Sequence, residues 1–343
     1  MSENTVQKII SEWNNDGAFS GVISISAPDD ILYQEAFGYR NKAEELSNKP
    51  DTAFAIASGT KLFTALAVCK MIDDGLLSLE NRICDLIPHD LMKSINKEVT
   101  VFHLLTHTSG IGDYIDEEAS SDYFDILRLY ENRPVHKWDS LAYYLPMFNE
   151  LPQKFSPGER FGYSNAGFVL LGLVVEGISK QAYQQYVAEN IILPLGLSHT
   201  GFFRMNSLPG NTALGYLYNE ARNGHETNTL YMPIIGGSDG GIFSCAADII
   251  KVWQAVFANR ILPTNMVEQF LTPHVVMNEK ERSGLGVFIR QDGNKKAYYS
   301  VGGDFGVDYF SAYFPRDKII ASALGNTEMN TFPLFKRLFE TLG

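Results

Sequence analysis

Residues 53–75 read AFAIASGTKLFTALAVCKMIDDG: a short apolar run, Ala53–Ala57, then a long helical pattern from Ser58 to Asp74 that Gly75 ends. At the head of that helix stands Ser58-Gly59-Thr60-Lys61. Positions i and i+3 share a helix face, so Lys61 can reach Ser58. A serine hydroxyl is a weak nucleophile until a base takes its proton. A lysine at its free pKa of about 10.4 is protonated and is no base. Burial or positive neighbours lower that value, and a shift of roughly 3 units asks about 4 kcal/mol of the surroundings. The N–H groups of a helix N-terminus face the same region, and the serine's own amide is a candidate oxyanion donor. Taken alone, the pattern equally describes an N-cap serine followed by a surface lysine.

Working outward, residues 2–16 carry Val6, Ile9, Ile10 and Trp13 at helical spacing. Gly21–Ala27 alternates as a strand, Pro28-Asp29-Asp30 is a turn, and Ile31–Tyr39 is the returning strand of a hairpin. From about 80 to 200 helices dominate: Val101–Leu105, Ser121–Tyr130, Ser140–Tyr144, Ala166–Ile178 and Gln181–Asn190. Beyond 285 strands return, at Gly286–Arg290, Lys296–Val301, Asp308–Phe314 and Ile319–Leu324, before a last helix over Phe332–Thr341. Sheet elements at both ends with helices between them predict one domain inserted in another. Residues 1–75 and 226–343 would form a mixed α/β domain, and 76–225 a mainly helical one.

The chain has 343 residues, 45% hydrophobic and 20% charged, enough to bury a large core. Lys+Arg number 28 against Asp+Glu 40, a net charge of -12. No basic run is present, which argues against nucleic acid and anionic membrane surfaces as partners. No run of about 18 apolar residues exists to span a membrane. The start, MSENTVQKIISEWNNDG, has no basic segment followed by an apolar one, so no secretory signal is visible and a cytoplasmic location is expected. Cys69, Cys84 and Cys245 are too few and too scattered for a disulfide framework or a C-x-x-C metal site, and read as buried small apolar side chains. His103 and His107 are spaced i, i+4 but lack a marked third ligand, so loop-fixing hydrogen bonds are their expected use. Tyr114, Tyr216, Tyr218 and Tyr231 read as core or surface filler.

Two further patterns carry chemistry. Ser156-Pro157-Gly158-Glu159 leads into Phe161-Gly162-Tyr163-Ser164-Asn165, a Y-x-N before an apolar helix. A tyrosine can pass protons where a nearby cation lowers its pKa from about 10. An asparagine amide can hold both a lysine and a substrate carbonyl. Ser164 or Asn165 also suits a helix N-cap. Near the C-terminus, Tyr299-Ser300-Val301-Gly302-Gly303-Asp304-Phe305-Gly306 places glycines in a strand, where a ligand or another backbone can approach closely.

Together, S-x-x-K, Y-x-N and a glycine-rich strand in that order resemble the serine β-lactamase and penicillin-binding-protein superfamily. The spacing is most similar to its class C β-lactamase-related branch, with D-Ala-D-Ala carboxypeptidases, D-aminopeptidases and family VIII esterases. Val101–Gly110 (VFHLLTHTSG), Tyr163–Leu171 (YSNAGFVLL) and Gly236–Asp248 resemble further segments of that branch, so the likeness covers roughly residues 15–335. It implies an α/β fold of the α+β type: an antiparallel sheet flanked by helices, an inserted helical domain, and a cleft between them. It also implies an acyl-enzyme at Ser58, with Lys61 as general base or relay, Tyr163 as proton shuttle and Asn165 orienting Lys61 and substrate. The N–H groups of Ser58 and Gly303 would form the oxyanion hole. No cofactor and no metal are implied.

One departure bears on substrate. The family's third motif, K-T-G or H-x-G, aligns best here with Ser300-Val301-Gly302, with Gly303 as donor; a one-residue slide gives Val301-Gly302-Gly303, with Asp304 as donor. Neither register has the cation. A neutral serine bonds a carboxylate more weakly than a charge-assisted donor does, and Asp304 would repel one. The expected substrates are therefore small esters, amides or short D-amino-acid peptides, with weak or no β-lactamase activity. The alternative is a non-catalytic or penicillin-binding cleft protein of the same fold. Cleft shape would depend on the loops Gly112–Asp139 and Pro209–Tyr231. Oligomeric state has no sequence signal.

Overall fold

The computed structural model describes residues 3–28, 30–88, 91, 93–117 and 133–343. Eight strands make the main sheet: β1 (Gly21–Ala27), β2 (Asp30–Phe37), β3 (Val275–Val276), β4 (Glu281–Ser283), β5 (Phe288–Asp292), β6 (Lys295–Asp304), β7 (Val307–Phe314) and β8 (Ile319–Gly325). Their order is β2-β1-β8-β7-β6-β5-β4-β3 and every neighbouring pair is antiparallel. The N-terminal hairpin is joined to the C-terminal meander through β1 and β8, from Gly21 opposite Gly325 to Ser26 opposite Ile320. The sheet is thus built from both chain ends, as the alternation of elements predicted.

Side chains alternate along a strand, so each face of the sheet has its own core. On one face Ile23, Ile25, Phe310, Ala312, Phe314 and Ala321 pack against α1 (Glu3–Trp13) and α5 (Phe332–Leu342). On the other, Val22, Tyr309, Tyr313, Ile320 and Leu324 join the larger core with α2 (Thr60–Asp73), α3 (Asn165–Ser179) and α4 (Ala246–Phe257). Helix α2 is buried all round, from Thr60 through Cys69. A helix apolar on every side belongs inside a protein, and this placement carries Lys61 inside with it.

The element expectations hold with shifted boundaries. The second strand stops at Phe37 because Gly38 takes a left-handed φ of 65°. The expected helix Gln181–Asn190 is Tyr183–Val187 continued by a π-helical turn, Ala188–Ile192. Val101–Leu105 is a helix as expected, whereas Ser140–Tyr144 is a single 3-10 turn, Leu141–Tyr143. The expected helix Ser121–Tyr130 lies outside the described residues. Thr264–Leu271 is a helix with no counterpart in the sequence reading. The expected boundary at 225/226 falls inside a hairpin, Tyr216–Asn219 paired with Gly224–Thr227. Cys69 and Cys245 are buried, but Cys84 is only half-buried. Among the described residues no helix is long and apolar enough to cross a membrane.

Candidate active site

Ser58 sits in a 3-10 turn, Ala57–Gly59, that runs directly into α2. The turn is held from three sides. Phe54–Ala55 pairs with Phe243–Ser244, and the Ile56 N–H donates to the Ile242 carbonyl at 3.0 Å. The Thr60 hydroxyl donates to the Ala57 carbonyl at 2.7 Å. From below, β6 passes so close that a Cβ on Gly302 would lie 2.2 Å from the Ile56 carbonyl oxygen and 2.9 Å from the Ser58 nitrogen. Only glycine fits there.

Lys61, 4% exposed, projects back along the same face. Its Nζ lies 3.0 Å from Ser58 Oγ, 2.7 Å from Asn165 Oδ1 and 2.6 Å from the Asp239 carbonyl oxygen. Burial pulls the Lys61 pKa down; the carboxylates of Asp239, Glu117, Asp113 and Asp304 oppose that shift without cancelling it. The Tyr163 ring lies beneath Lys61 Nζ, 5.0 Å from it to the centroid, and its hydroxyl bonds to Ser58. The expectation that a cation would lower the tyrosine's pKa is corrected: burial, with Glu117 adding to it, raises Tyr163 well above its ordinary value. It is a phenol at neutral pH.

Asn165 opens α3, whose N-cap is Ser164; the Ser164 hydroxyl accepts from the Gly167 N–H at 3.0 Å. Capping and presentation of Asn165 are therefore one arrangement. The buried carboxylate of Asp113 accepts from the Ala166 N–H at 3.2 Å, and burial lifts it to about 6. His107 fixes the segment before the helix. Its Nδ1 accepts the Ser164 N–H at 3.1 Å and its ring stacks on Tyr163 at 4.6 Å. Burial, then the charge of Lys61, pushes His107 down to about 3, so it is neutral, with its proton on Nε2. Its φ of 56° takes it out of the helix that holds His103, so the two histidines do not share a face.

The third segment lies in the β6–β7 hairpin. Asp304 and Val307 flank the two-residue loop, so they form its closing hydrogen-bonded pair, and the pattern repeats at Gly302–Tyr309 and Ser300–Ser311. The intervening Gly303 N–H points to the opposite edge, past the point where β5 stops pairing at Phe288–Tyr299. In this register the Asp304 amide faces β7 instead. Ser300 is 5% exposed and does not line the cleft, whereas Gly302, Gly303 and Asp304 do.

The cleft has a volume of about 710 Å³ and is lined by Ser58, Tyr163 and Asn165 along with the hairpin. Of the lining residues that touch Lys61, one, Asp239, escaped the sequence reading, and Tyr114, read as filler, lines the cleft beside it. Asp239 supplies the carbonyl that holds Lys61, and its carboxylate accepts from the Tyr114 hydroxyl. The run of glycines around Asp239 was the only available signal. Away from the cleft, His199, Cys245 and Asp248 place ligand-type atoms within 4.8 Å of one another. Both Asp248 oxygens are already engaged, by Lys251 at 2.9 Å and by the His199 amide and Thr200 hydroxyl at 2.7 and 3.0 Å, so hydrogen bonds account for that cluster.

The helical lobe, the antiparallel sheet and the Ser–Lys pair at their junction define a protein of the serine β-lactamase and penicillin-binding-protein fold. The chain belongs to the Beta-lactamase family, whose model matches residues 6–337. A penicillin-binding protein from Bacillus halodurans has a similar structure, with a TM-score of 0.90 and 36% identity over 98% of this chain and 100% of that one. Protein flp of Staphylococcus aureus (strain N315) is 32% identical over 63% of this chain, which spans 41% of that relative's length. A penicillin-binding protein of Bacillus subtilis (strain 168) is 29% identical over 78% of this chain, which spans 58% of it.

Proposed function

We propose that this protein is a serine hydrolase that forms an acyl-enzyme at Ser58 on small esters, amides or D-amino-acid peptides, with weak or no β-lactamase activity. The observation that carries the reading is the three-way contact of Lys61 Nζ with Ser58 Oγ, Asn165 Oδ1 and the Asp239 carbonyl. An ammonium has three N–H donors and a neutral amine has two. Two of the three partners are carbonyl oxygens and can only accept. A neutral Lys61 that satisfies both has its lone pair left for the Ser58 proton, and burial favours that neutral form.

Ser58 Oγ then attacks the substrate carbonyl, and its proton passes to Lys61. The N–H groups of Ser58 and Gly303 receive the oxyanion; the hairpin register, which turns the Asp304 amide toward the facing strand, favours Gly303 over Asp304 as donor. Each such donor is worth about 2.7–4 kcal/mol of barrier. Tyr163, a phenol bonded to Ser58, relays a proton between Lys61 and the leaving group and then to the serine as water completes the cycle. Asn165 holds Lys61 on one side and offers its amide to the substrate on the other.

The test is intact-mass analysis after treatment with a fluorophosphonate, which needs an activated serine and little recognition. One adduct on the parent protein and none on Ser58→Ala is expected. No adduct on either would overturn the proposal in favour of a non-catalytic binding protein.

A further inference from the structure

The carboxylates of Glu117, Asp239, Asp304, Asp308 and Glu328 line the cleft, and among the described lining residues there is no Lys, Arg or His. Two of the five have local partners. Asp308 accepts from the N–H and hydroxyl of Thr331, and Asp239 from Tyr114. Asp304 uses one oxygen on the Phe305 N–H at 2.8 Å, and its other oxygen takes no hydrogen bond from a described residue. Among the described residues, Glu117 has one hydrogen-bond contact, a long one of 3.5 Å with the Asn165 amide. Lys154, the cation near Glu117, is paired with Asp116 at 2.9 Å. Burial raises Asp304 to about 6, and the charges of Asp239 and Glu117 push it the same way. Only a protonated Lys61 would oppose them; as the neutral base read above it does not, and its two N–H groups are taken by Asn165 and the Asp239 carbonyl. The cleft therefore holds negative charge that no described lining residue neutralises.

We infer that the cleft selects substrates bearing a protonated amine, with Asp304 as the anchoring carboxylate and Glu117 as its neighbour. Its turnover test rests on the hydrolase reading above. An ammonium beside Asp304 supplies the missing counter-charge in a site partly shielded from water, where charge-assisted hydrogen bonds are strongest. A neutral substrate leaves the carboxylates uncompensated, and a carboxylate substrate adds to the repulsion. Asp304 and Glu117 are specificity residues; neither takes part in the bond changes at Ser58.

Two matched substrate pairs locate the amine. One is alanine p-nitroanilide, in both D and L forms, against its N-acetyl derivative. The other is 2-(dimethylamino)ethyl thioacetate, whose tertiary amine is protonated at neutral pH, against its uncharged isostere, 3-methylbutyl thioacetate. At about pH 7 an α-amino group is largely protonated. In at least one pair the cationic member should have the higher kcat/KM, by about tenfold to hundredfold. That ratio should collapse in Asp304→Asn and shrink in Glu117→Gln and at high salt. Because both substrates are read in one preparation, the ratio does not depend on how much variant is folded. Neutral members preferred in both pairs, or a cationic preference that survives both variants, would overturn the inference. Binding of D-alaninamide and N-acetyl-D-alaninamide to Ser58→Ala, followed by titration calorimetry, separates the two proposals. If the fluorophosphonate leaves no adduct, hydrolysis fails, while tighter binding of the amine still supports the cation-selective pocket.

Discussion

At Ala57 the backbone adopts φ 45°, a left-handed conformation that costs a residue with a Cβ about 1–2 kcal/mol. The bonds from the Ile56 N–H to the Ile242 carbonyl and from the Thr60 hydroxyl to the Ala57 carbonyl hold it there, and the next residue is Ser58. The distortion turns a strand end sharply into a helix and leaves Ser58 half-exposed over the buried Lys61. Gly302 completes the arrangement from the other side by letting β6 approach the turn. In Gly302→Ala the new methyl would meet the Ile56 carbonyl at 2.2 Å, so strand and turn must separate. A displacement of about 1 Å between reacting groups can cost about 100-fold in rate. Fluorophosphonate labelling of Gly302→Ala should therefore slow by about two orders of magnitude, with a near-native circular dichroism spectrum. Labelling at the parental rate would show that the close approach of β6 is not needed to present Ser58.

At the scale of elements, the β6–β7 hairpin carries both the Gly303 amide and Asp308, and Asp308 ties it to the start of α5. Its carboxylate accepts from the Thr331 N–H at 2.6 Å and from the Thr331 hydroxyl at 2.7 Å. Both donors favour the anion, yet burial outweighs them and raises the group to about 7. The folded state thus keeps this proton where the unfolded chain has lost it, so the group's contribution to stability falls as pH rises from about 4 to about 7 and is level above that. Asp308→Asn removes the titration. Its unfolding free energy relative to the parent should improve by about 3 kcal/mol between about pH 5 and pH 8, each pKa unit being worth about 1.4 kcal/mol. A difference that stays constant across that range in denaturant titrations would mean that Asp308 is already ionised in the folded protein. The hairpin also marks how far the sequence could be read. Ser58 and Lys61 were legible because i, i+3 spacing is local geometry, and Asn165 because a polar residue must open an apolar helix. The third segment left two registers open, since the choice between the Gly303 and Asp304 amides depends on which pair closes the hairpin. The role of Asp239 was not legible; only the glycine-rich run around it stood out. Asp239 acts through a backbone carbonyl on a lysine 178 positions away, and no side-chain pattern encodes the direction of a carbonyl.

For the molecule as a whole, the decisive fact is where the larger core lies. Residues from the sheet, Val22, Tyr309 and Leu324, belong to the same buried cluster as Phe168, Val174 and Tyr183 of the helical lobe. Helix α2 runs through that cluster, and the Ser58–Lys61 pair sits at its head. The division into 1–75 with 226–343 and 76–225, read from the order of elements, remains a proposal about topology. The packing argues that the two parts do not fold separately, because neither can bury its share of this core without the other. The chain should then unfold in one calorimetric transition with equal calorimetric and van't Hoff enthalpies. An isolated 76–225 fragment, with the apolar side chains that face α2 exposed, should show no cooperative melt. Two resolved transitions, or a cooperative melt of the fragment, would place the cleft between independently stable bodies. A single transition means instead that substitutions behind α2 reach Ser58 through the core, so loss of stability and loss of labelling should run in parallel for variants such as Phe168→Ala, where removing a fully buried ring costs about 3–5 kcal/mol.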